Sequence, residues 1–162
     1  MPALPAPNPG NYTFGAHTLS VGGVDLGNIV NASMTVEVAA LTHFSAIHGE
    51  ETEDPQIVNR LRYTIEATLD EPNKDNLFRF LLADSTGKVG KLSLGAQAVA
   101  FAGIPVAGNA FSWAIPKAVV RPNGSFGYSS EDWSSFGLTI ILIPDATAPT
   151  APFGTVTHTG VA

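Results

Sequence analysis

Two segments of the chain alternate between apolar and polar residues at every second position. In residues 33–39 one side is apolar and the other polar: Met34, Val36 and Val38 against Ser33, Thr35 and Glu37. In residues 60–70 the same alternation places Leu61, Tyr63, Ile65, Ala67 and Leu69 against Arg60, Arg62, Thr64, Glu66, Thr68 and Asp70. Successive side chains of a β-strand point to opposite faces, so both segments are predicted strands with one face on a core.

Shorter patterns predict the remaining strands. Two alternating stretches flank Gly22 and Gly23, which predicts a two-residue hairpin within Leu19–Leu26. The second half of the chain predicts three more strands, with a turn at Gly103–Pro105 after the first of them. These strands are Lys91–Phe101, Asn109–Arg121 and Ser135–Ile143.

One segment, residues 72–83, predicts an α-helix. Pro72 suits the first helical position, and the acidic residues before it favour the positive end of the helix dipole. Apolar residues follow at helical spacing: Leu77, Phe78, Leu81 and Leu82. The predicted fold is mainly β, a β-sandwich or barrel of about six to eight antiparallel strands with this one flanking helix.

The rest of the chain predicts arms and loops around a β domain of residues 15–145. Residues 1–14 are rich in Pro, Asn and Gly and form a predicted N-terminal arm, and residues 146–162 form a C-terminal extension. Residues 40–58 are predicted to be a long exposed loop, because four carboxylates precede a proline. The four are Glu50, Glu51, Glu53 and Asp54.

Composition and charge exclude several functions. Charged residues make up 14% of the chain, against about 25% in an average protein, which suits a surface that is partly buried against partners. The net charge is −6 with only 8 Lys and Arg, which argues against tight binding of nucleic acid. The chain has no cysteine, which excludes disulfides and thiolate metal sites. We expect no signal peptide and no membrane span.

The candidate chemical groups do not form a catalytic or metal-binding pattern. His43 and His48 flank the acidic segment, but their spacing fits no standard zinc site, and solvated loop histidines are the preferred interpretation. No nucleophile elbow or phosphate-binding glycine loop is present. We therefore expect no enzyme, no cofactor and no metal. Trp113 shares a strand face with other apolar residues and is predicted to lie in the core, whereas Trp133 is a candidate for an interface.

The order of these pieces resembles that of bacteriophage major tail tube proteins over about residues 14–156. Four stretches carry the resemblance, namely residues 22–37, the helical segment Glu71–Leu82, Ile115–Gly124, and Glu131–Trp133 with the strand that closes on Asp145. It implies a small β-sandwich or barrel that forms homohexameric rings, which stack into a tube for genome delivery. It also implies a place in the virion tail after synthesis in the bacterial host cytoplasm. The implied partners are tape-measure, tail terminator and tail tip proteins, with no membrane.

The resemblance also implies roles for individual residues. Polar strand faces line the lumen in this family, usually with negative charge, so double-stranded DNA passes without tight binding. The lumen candidates are Glu37, Glu66, Thr35, Thr64 and Thr68. The long loop typically contacts the next ring, a role that falls to Glu50, Glu51, Glu53 and Asp54. Arg60 and Arg62 complicate a purely negative lumen, and the sequence leaves their orientation open.

Two alternatives stay open at this point. The tube subunit of a contractile secretion machine is similar in fold and exports protein. A monomeric carbohydrate-binding β-sandwich would instead use Trp113 or Trp133 to stack on sugars.

Overall fold

The computed structural model describes seven ranges of the chain. They are residues 14–41, 44–47, 50–53, 57–90, 95–107, 110–127 and 130–159. Residues 1–13 of the predicted N-terminal arm, as well as His43, His48 and Asp54, lie outside these ranges.

Ten strands and one helix make up the described part. The elements are β1 (Phe14–Val21), β2 (Val24–Asp25), β3 (Ile29–Leu41), β4 (Phe44–Ile47), β5 (Glu50–Glu53), β6 (Ile57–Leu69), α1 (Lys74–Phe80), β7 (Gln97–Ala107), β8 (Ala110–Asn123), β9 (Phe136–Leu142) and β10 (Thr155–Thr159). The mainly β fold with one helix is therefore confirmed. No helix in the described ranges is long and apolar enough to cross a membrane.

Eight strands form one antiparallel sheet. Its order is β2-β1-β7-β8-β9-β6-β3, with β10 paired to β8, and β4 and β5 form a separate hairpin. The predicted hairpin is confirmed: Gly22 and Gly23 join β1 to β2 with φ values of 61° and 79°, which glycine adopts without steric cost. The sheet curves so that β1 approaches β3, yet the two strands do not pair and the sheet stays open.

The register of β3 and β6 confirms the predicted strand faces. Met34 lies opposite Ile65 and Val36 opposite Tyr63, so the apolar positions of both strands share one face. Thr35 lies opposite Thr64 and is on the other face with the remaining polar positions.

One hydrophobic core packs against the sheet. It joins side chains of β1, β6, β7, β8 and β9, and its fully buried members include Leu19, Ile65, Ile115, Leu138 and Ile140. Trp113 belongs to this core at 8% exposure, as predicted. Its indole N–H donates to the carbonyl of Phe153 at 3.0 Å, which satisfies the one polar atom of a buried ring.

The helix is shorter than the predicted 72–83. Asn73, not Pro72, precedes its first turn, and the side-chain oxygen of Asn73 accepts the N–H of Asn76 at 2.9 Å. The helix ends where Leu82 takes the left-handed conformation, with φ of 53°. Three of the four predicted apolar positions, Leu77, Phe78 and Leu82, are partly buried, whereas Leu81 is 41% exposed and Asn76 is fully buried.

Polar groups attach α1 to the first hairpin. The amide group of Asn76 donates to the carbonyls of Leu26 at 2.6 Å and Glu71 at 3.1 Å. The guanidinium of Arg79 donates to the carbonyl of Val21 at 3.0 Å. These bonds satisfy buried carbonyls and fix the β1–β2 hairpin against the helix.

A predicted turn and part of the predicted loop are strands in the structure. Gly103–Pro105 lies inside β7, where Pro105 pairs with Gly15 of β1. The register of β7 with β8 ends at Ala102, so the proline stands where only one side of β7 is paired and the loss of a donor is tolerated. Residues 44–47 and 50–53, inside the predicted loop 40–58, form the β4–β5 hairpin.

The C-terminal segment folds onto the sheet, although its composition predicts no regular structure. β10 pairs with the first half of β8, and the ring of Phe153 lies 4.9 Å from that of Tyr63. Gly154 makes the approach possible, because a Cβ at this position would overlap the carbonyl of Ala114. The Lys117 ammonium also donates to Asp145 at 2.9 Å.

We predict that Val21→Ala lowers the free energy of unfolding of the monomer by about 1–3 kcal/mol. Val38→Ala should change this free energy by less than about 0.5 kcal/mol. Val21 is fully buried and Val38 is 57% exposed, so only the first substitution leaves a cavity. Urea unfolding at low protein concentration measures both. Equal losses of unfolding free energy in the two variants would contradict the structure, because they would require the Val38 side chain to be buried within a single chain.

We predict that the contact between Lys117 and Asp145 stabilises the fold less as the solution is acidified. The hydrogen bond from Lys117, with those from Thr147, lowers the pKa of Asp145 to about 2. A depressed pKa means that the stabilisation is complete above the unfolded value near 4 and is lost as the pH falls towards 2. Wild type should therefore melt at a higher temperature than Lys117→Met at pH 5, and this difference in melting temperature should shrink as the pH falls to 2. Lys88→Met is the control variant. A difference in melting temperature between wild type and Lys117→Met that stays constant with pH would contradict the contact.

Candidate functional site

β3 and β6 extend beyond the rest of the sheet. β9 pairs with β6 only from Thr64 to Leu69, so residues 57–63 of β6 pair with β3 alone. We call residues 34–41 of β3 and residues 57–63 of β6 the arm. The side chains of residues 34–41 and 58–62 are all exposed.

The apolar face of the arm is exposed in the single chain. The face is continuous with the core through Ile65, which is fully buried, and Tyr63, which contacts Trp113 and Phe153. The other apolar side chains of this face are exposed; they are Met34 37%, Leu61 38%, Val36 53%, Val58 56% and Val38 57%. Val58 belongs to this face because a register shift between Ala39 and Ala40 places it opposite Ala40. We call these five side chains the apolar stripe. The sequence predicted that the face with Met34, Val36 and Val38 lies on a core, and this part of the prediction is wrong for the described chain, where these side chains are 37–57% exposed.

All five lumen candidates lie together on the opposite, polar face. The register places Thr35 opposite Thr64 and Glu37 opposite Arg62, while Glu66 and Thr68 follow along β6. Thr35, Glu37 and Glu66 are exposed, and Thr64 and Thr68 are partly buried. The structure thus brings the candidates onto one surface, and whether that surface lines a lumen stays a prediction.

This polar face carries both signs of charge. Arg60 and Arg62 share it with Glu37, which answers the question of their orientation. The Arg62 guanidinium lies 3.7 Å from the Glu37 carboxylate, with the two side chains 50% and 60% exposed, so the pair contributes little stability. Across the sheet, Glu66 lies opposite Thr139 and Thr139 opposite Arg121. Three arginines and two glutamates therefore lie on this face, which is not the purely acidic surface that the resemblance implies.

The sheet also leaves two backbone edges open. β3 pairs only with β6 among the described strands, so its other side presents unpaired N–H and C=O groups from Ile29 to Leu41. At the opposite edge, β2 covers only Ser20 and Val21 of β1. Open edges of this length are prone to pairing with another chain unless something covers them.

Three of the predicted contact residues of the acidic segment lie in the β4–β5 hairpin. Glu50, Glu51 and Glu53 form most of β5, which pairs with β4, while Asp54 lies outside the described residues. The predicted loop is therefore a strand hairpin over 44–47 and 50–53.

The two tryptophans differ in accessibility. Trp113 is buried with its N–H bonded, so it offers no face for stacking on a ligand. Trp133 is 92% exposed in the segment before β9. It is the remaining candidate for an aromatic contact with a partner or a sugar.

Two cavities and the titratable groups beside them complete the description of the side-chain chemistry in the described ranges. A groove of about 550 Å³ over β7 and β8 is lined by small and apolar residues such as Ala100, Ala114 and Pro116. A cavity of about 270 Å³ beside α1 contains Asp84, whose pKa is lowered by a hydrogen bond from Thr86, and Arg79, whose pKa is lowered by burial. Within the described ranges no three His, Asp or Glu residues come together as metal ligands.

Comparison with known proteins gives only distant similarity. No family model and no curated protein matches the sequence. Three solved structures share 14% identity with it. A sheath/tube terminator of an extracellular contractile injection system in its extended state has a TM-score of 0.46, covering 98% of this chain and 99% of the other. The anti-feeding prophage cap, a tube-terminating cap, has a TM-score of 0.49, covering 98% of this chain and 93% of the other. A sheath-tube complex of an extracellular contractile injection system in its extended state has a TM-score of 0.46, covering 90% of this chain and 88% of the other. At this level of similarity nothing about the function of this chain follows.

Proposed function

We propose that this chain is a structural subunit that assembles with copies of itself into a tail-tube-like conduit. The exposed apolar stripe of the arm is the observation that carries the proposal. Single apolar side chains on a surface are ordinary, but a stripe along two paired strands that continues from the core is typical of an interface. The proposal includes no catalytic role.

The open edges support self-association in particular. Each copy has an unpaired β3 edge on one side of its sheet and an incompletely covered β1 edge on the other. A contact between two different surfaces of identical chains repeats, and it closes into a ring if the rotation between neighbours permits. Ring closure would remove the free edges that a monomer leaves in water.

The order of segments described above supports the finer form of the proposal. Homohexameric rings stack into a tube, the arm contacts a neighbouring copy, and the polar face with Glu37 and Glu66 lines the lumen together with Thr35, Thr64 and Thr68. Double-stranded DNA is the proposed cargo. The mixed charge of that face gives few net cations for phosphates, so the DNA would be held weakly.

We predict that the triple variant Val36→Thr, Val38→Thr, Val58→Thr folds but forms no rings or tubes. Threonine keeps the β-branched shape and strand preference of valine, but it replaces one methyl group by a hydroxyl that is costly to bury in an apolar contact. Negative-stain electron microscopy at rising protein concentration measures assembly, and circular dichroism verifies the fold.

The matched control replaces three exposed valines outside the stripe. Val30, Val89 and Val156 are 60%, 68% and 51% exposed, and their change to threonine should leave assembly intact. Tubes from the stripe variant at the wild-type concentration would contradict the proposal. Wild-type monomers at every concentration, with Trp133 fluorescence that responds to glycans, would favour the carbohydrate-binding alternative instead.

A further inference from the structure

We propose that Asn123 and Gly124, at the end of β8, form a site of spontaneous covalent modification, in which the side-chain amide of Asn123 becomes a carboxylate. The product is aspartate or isoaspartate, and it adds a negative charge to the polar face of the sheet. The reaction needs water and the chain itself. Its chemistry is independent of the proposed function, and its consequence for a conduit rests on that proposal.

The residue after Asn123 leaves the reacting atoms unhindered. Asn123 is the one asparagine in the sequence that is followed directly by glycine. The backbone nitrogen of the following residue is the nucleophile of this reaction, and glycine has no side chain to obstruct its approach to the amide carbon. Gly124 is exposed with a φ of 76°, and a Cβ at this position would have no neighbour within 4 Å beyond the adjacent residues. Water therefore reaches the nucleophile and the product.

The amide group of Asn123 is free to turn towards that nitrogen. Asn123 is exposed, and its side chain takes part in no hydrogen bond among the described residues. It is the last residue of β8, where it pairs with Gly137, and residues 124–127 after it form no strand or helix. Rotation of the side chain therefore breaks no polar contact.

Three other asparagines show the contrast. The amide of Asn28 donates to Asp70, and the side chain of Asn73 accepts the N–H of Asn76. Asn76 itself is fully buried. A residue larger than glycine follows each of the three in the sequence. The structure therefore favours reaction at Asn123 over these positions.

The modification proceeds in two balanced steps. Hydroxide removes the proton of the Gly124 amide, and the nitrogen forms a bond to Cγ of Asn123. The bond from Cγ to the side-chain nitrogen breaks, and ammonia leaves with a proton taken from water, which regenerates hydroxide. One water molecule then opens the five-membered succinimide ring. Opening at one carbonyl carbon gives aspartate, and opening at the other gives isoaspartate, in which the backbone continues through the side chain.

The new carboxylate lies among the charges of the polar face. Asn123 and Thr68 lie on the two sides of Gly137, and Arg121 precedes Asn123 by two residues on the same strand face. The described face has three arginines and two glutamates, so conversion gives three carboxylates against three arginines. A face without net positive charge attracts phosphates less, which suits passage of DNA through the proposed conduit.

Ageing of the purified protein at low concentration, warm and at mildly alkaline pH, tests the proposal. Isoelectric focusing should show wild type shifting from a net charge of −6 to −7. Peptide mass spectrometry should place the change at Asn123, and an isoaspartyl-specific methyltransferase should label the isoaspartate product. Asn123→Gln is the matched control and should lose the shift, because its longer side chain would have to close a six-membered ring.

Two results would overturn the inference. One is wild-type protein that stays unmodified while a free peptide with the sequence of residues 118–127 is fully converted under the same conditions. The other is an equal charge shift in Asn123→Gln, because the modified residue would then lie elsewhere. Asn123 is exposed and makes no side-chain hydrogen bond among the described residues, so the control variant should keep the fold, which circular dichroism verifies.

The same measurement on assembled protein separates this inference from the proposed function. If the polar face lines an open lumen, Asn123 stays in contact with water in tubes and should convert as fast as in dilute protein. Conversion in dilute protein but not in tubes would mean that the face is covered, so the lumen assignment would be wrong while the modification stands. Absence of conversion in dilute protein overturns the modification whether or not tubes form.

Discussion

Burial of apolar side chains holds the sheet together only where other strands and α1 cover it. Ile65 and Leu69 of β6 are fully buried, whereas Val58 and Leu61 of the same strand are exposed although they continue the same face. The backbone pairing of β3 with β6 goes on for several residues past the last covered position. The arm therefore keeps its hydrogen bonds but lacks the burial that normally stabilises a two-stranded ribbon in water. A second copy is the proposed cover.

Polar contacts fasten the end of β3 and β6 that lies opposite to the arm. The Asn28 amide donates to both carboxylate oxygens of Asp70, at 2.7 and 2.8 Å, which ties the residue before β3 to the residue after β6. Asn76 and Arg79 of α1 hold the adjacent β1–β2 hairpin through its carbonyls. Side-chain hydrogen bonds therefore hold this end of the two strands, whereas the arm at the other end is held by the backbone pairing of β3 with β6.

The sequence predicts local geometry well where the side-chain period is strict, and much less where tertiary contacts decide. The alternation in β3 and β6 shows which residues share a face, but it does not show whether anything covers that face, as Val36 and Val38 demonstrate. A segment with four carboxylates before a proline has the composition of a loop. In the structure this segment contains a hairpin, in which Ser45 pairs with Thr52. The C-terminal strand depends on Gly154 fitting against Ala114, a contact that no local pattern carries. The face on which Arg60 and Arg62 lie could be assigned only from the pairing register of β3 with β6.

Hydrogen exchange of the arm backbone, compared between dilute and concentrated protein, tests most directly whether a second copy covers the arm. The open side of β3 has no partner among the described strands, so we predict rapid exchange of those amides in the dilute protein. In the assembled protein, peptides covering residues 33–41 and 57–63 should become strongly protected, while peptides from β9 should change little. Equal exchange of the arm peptides in both samples, with assemblies visible in the microscope, would contradict the account.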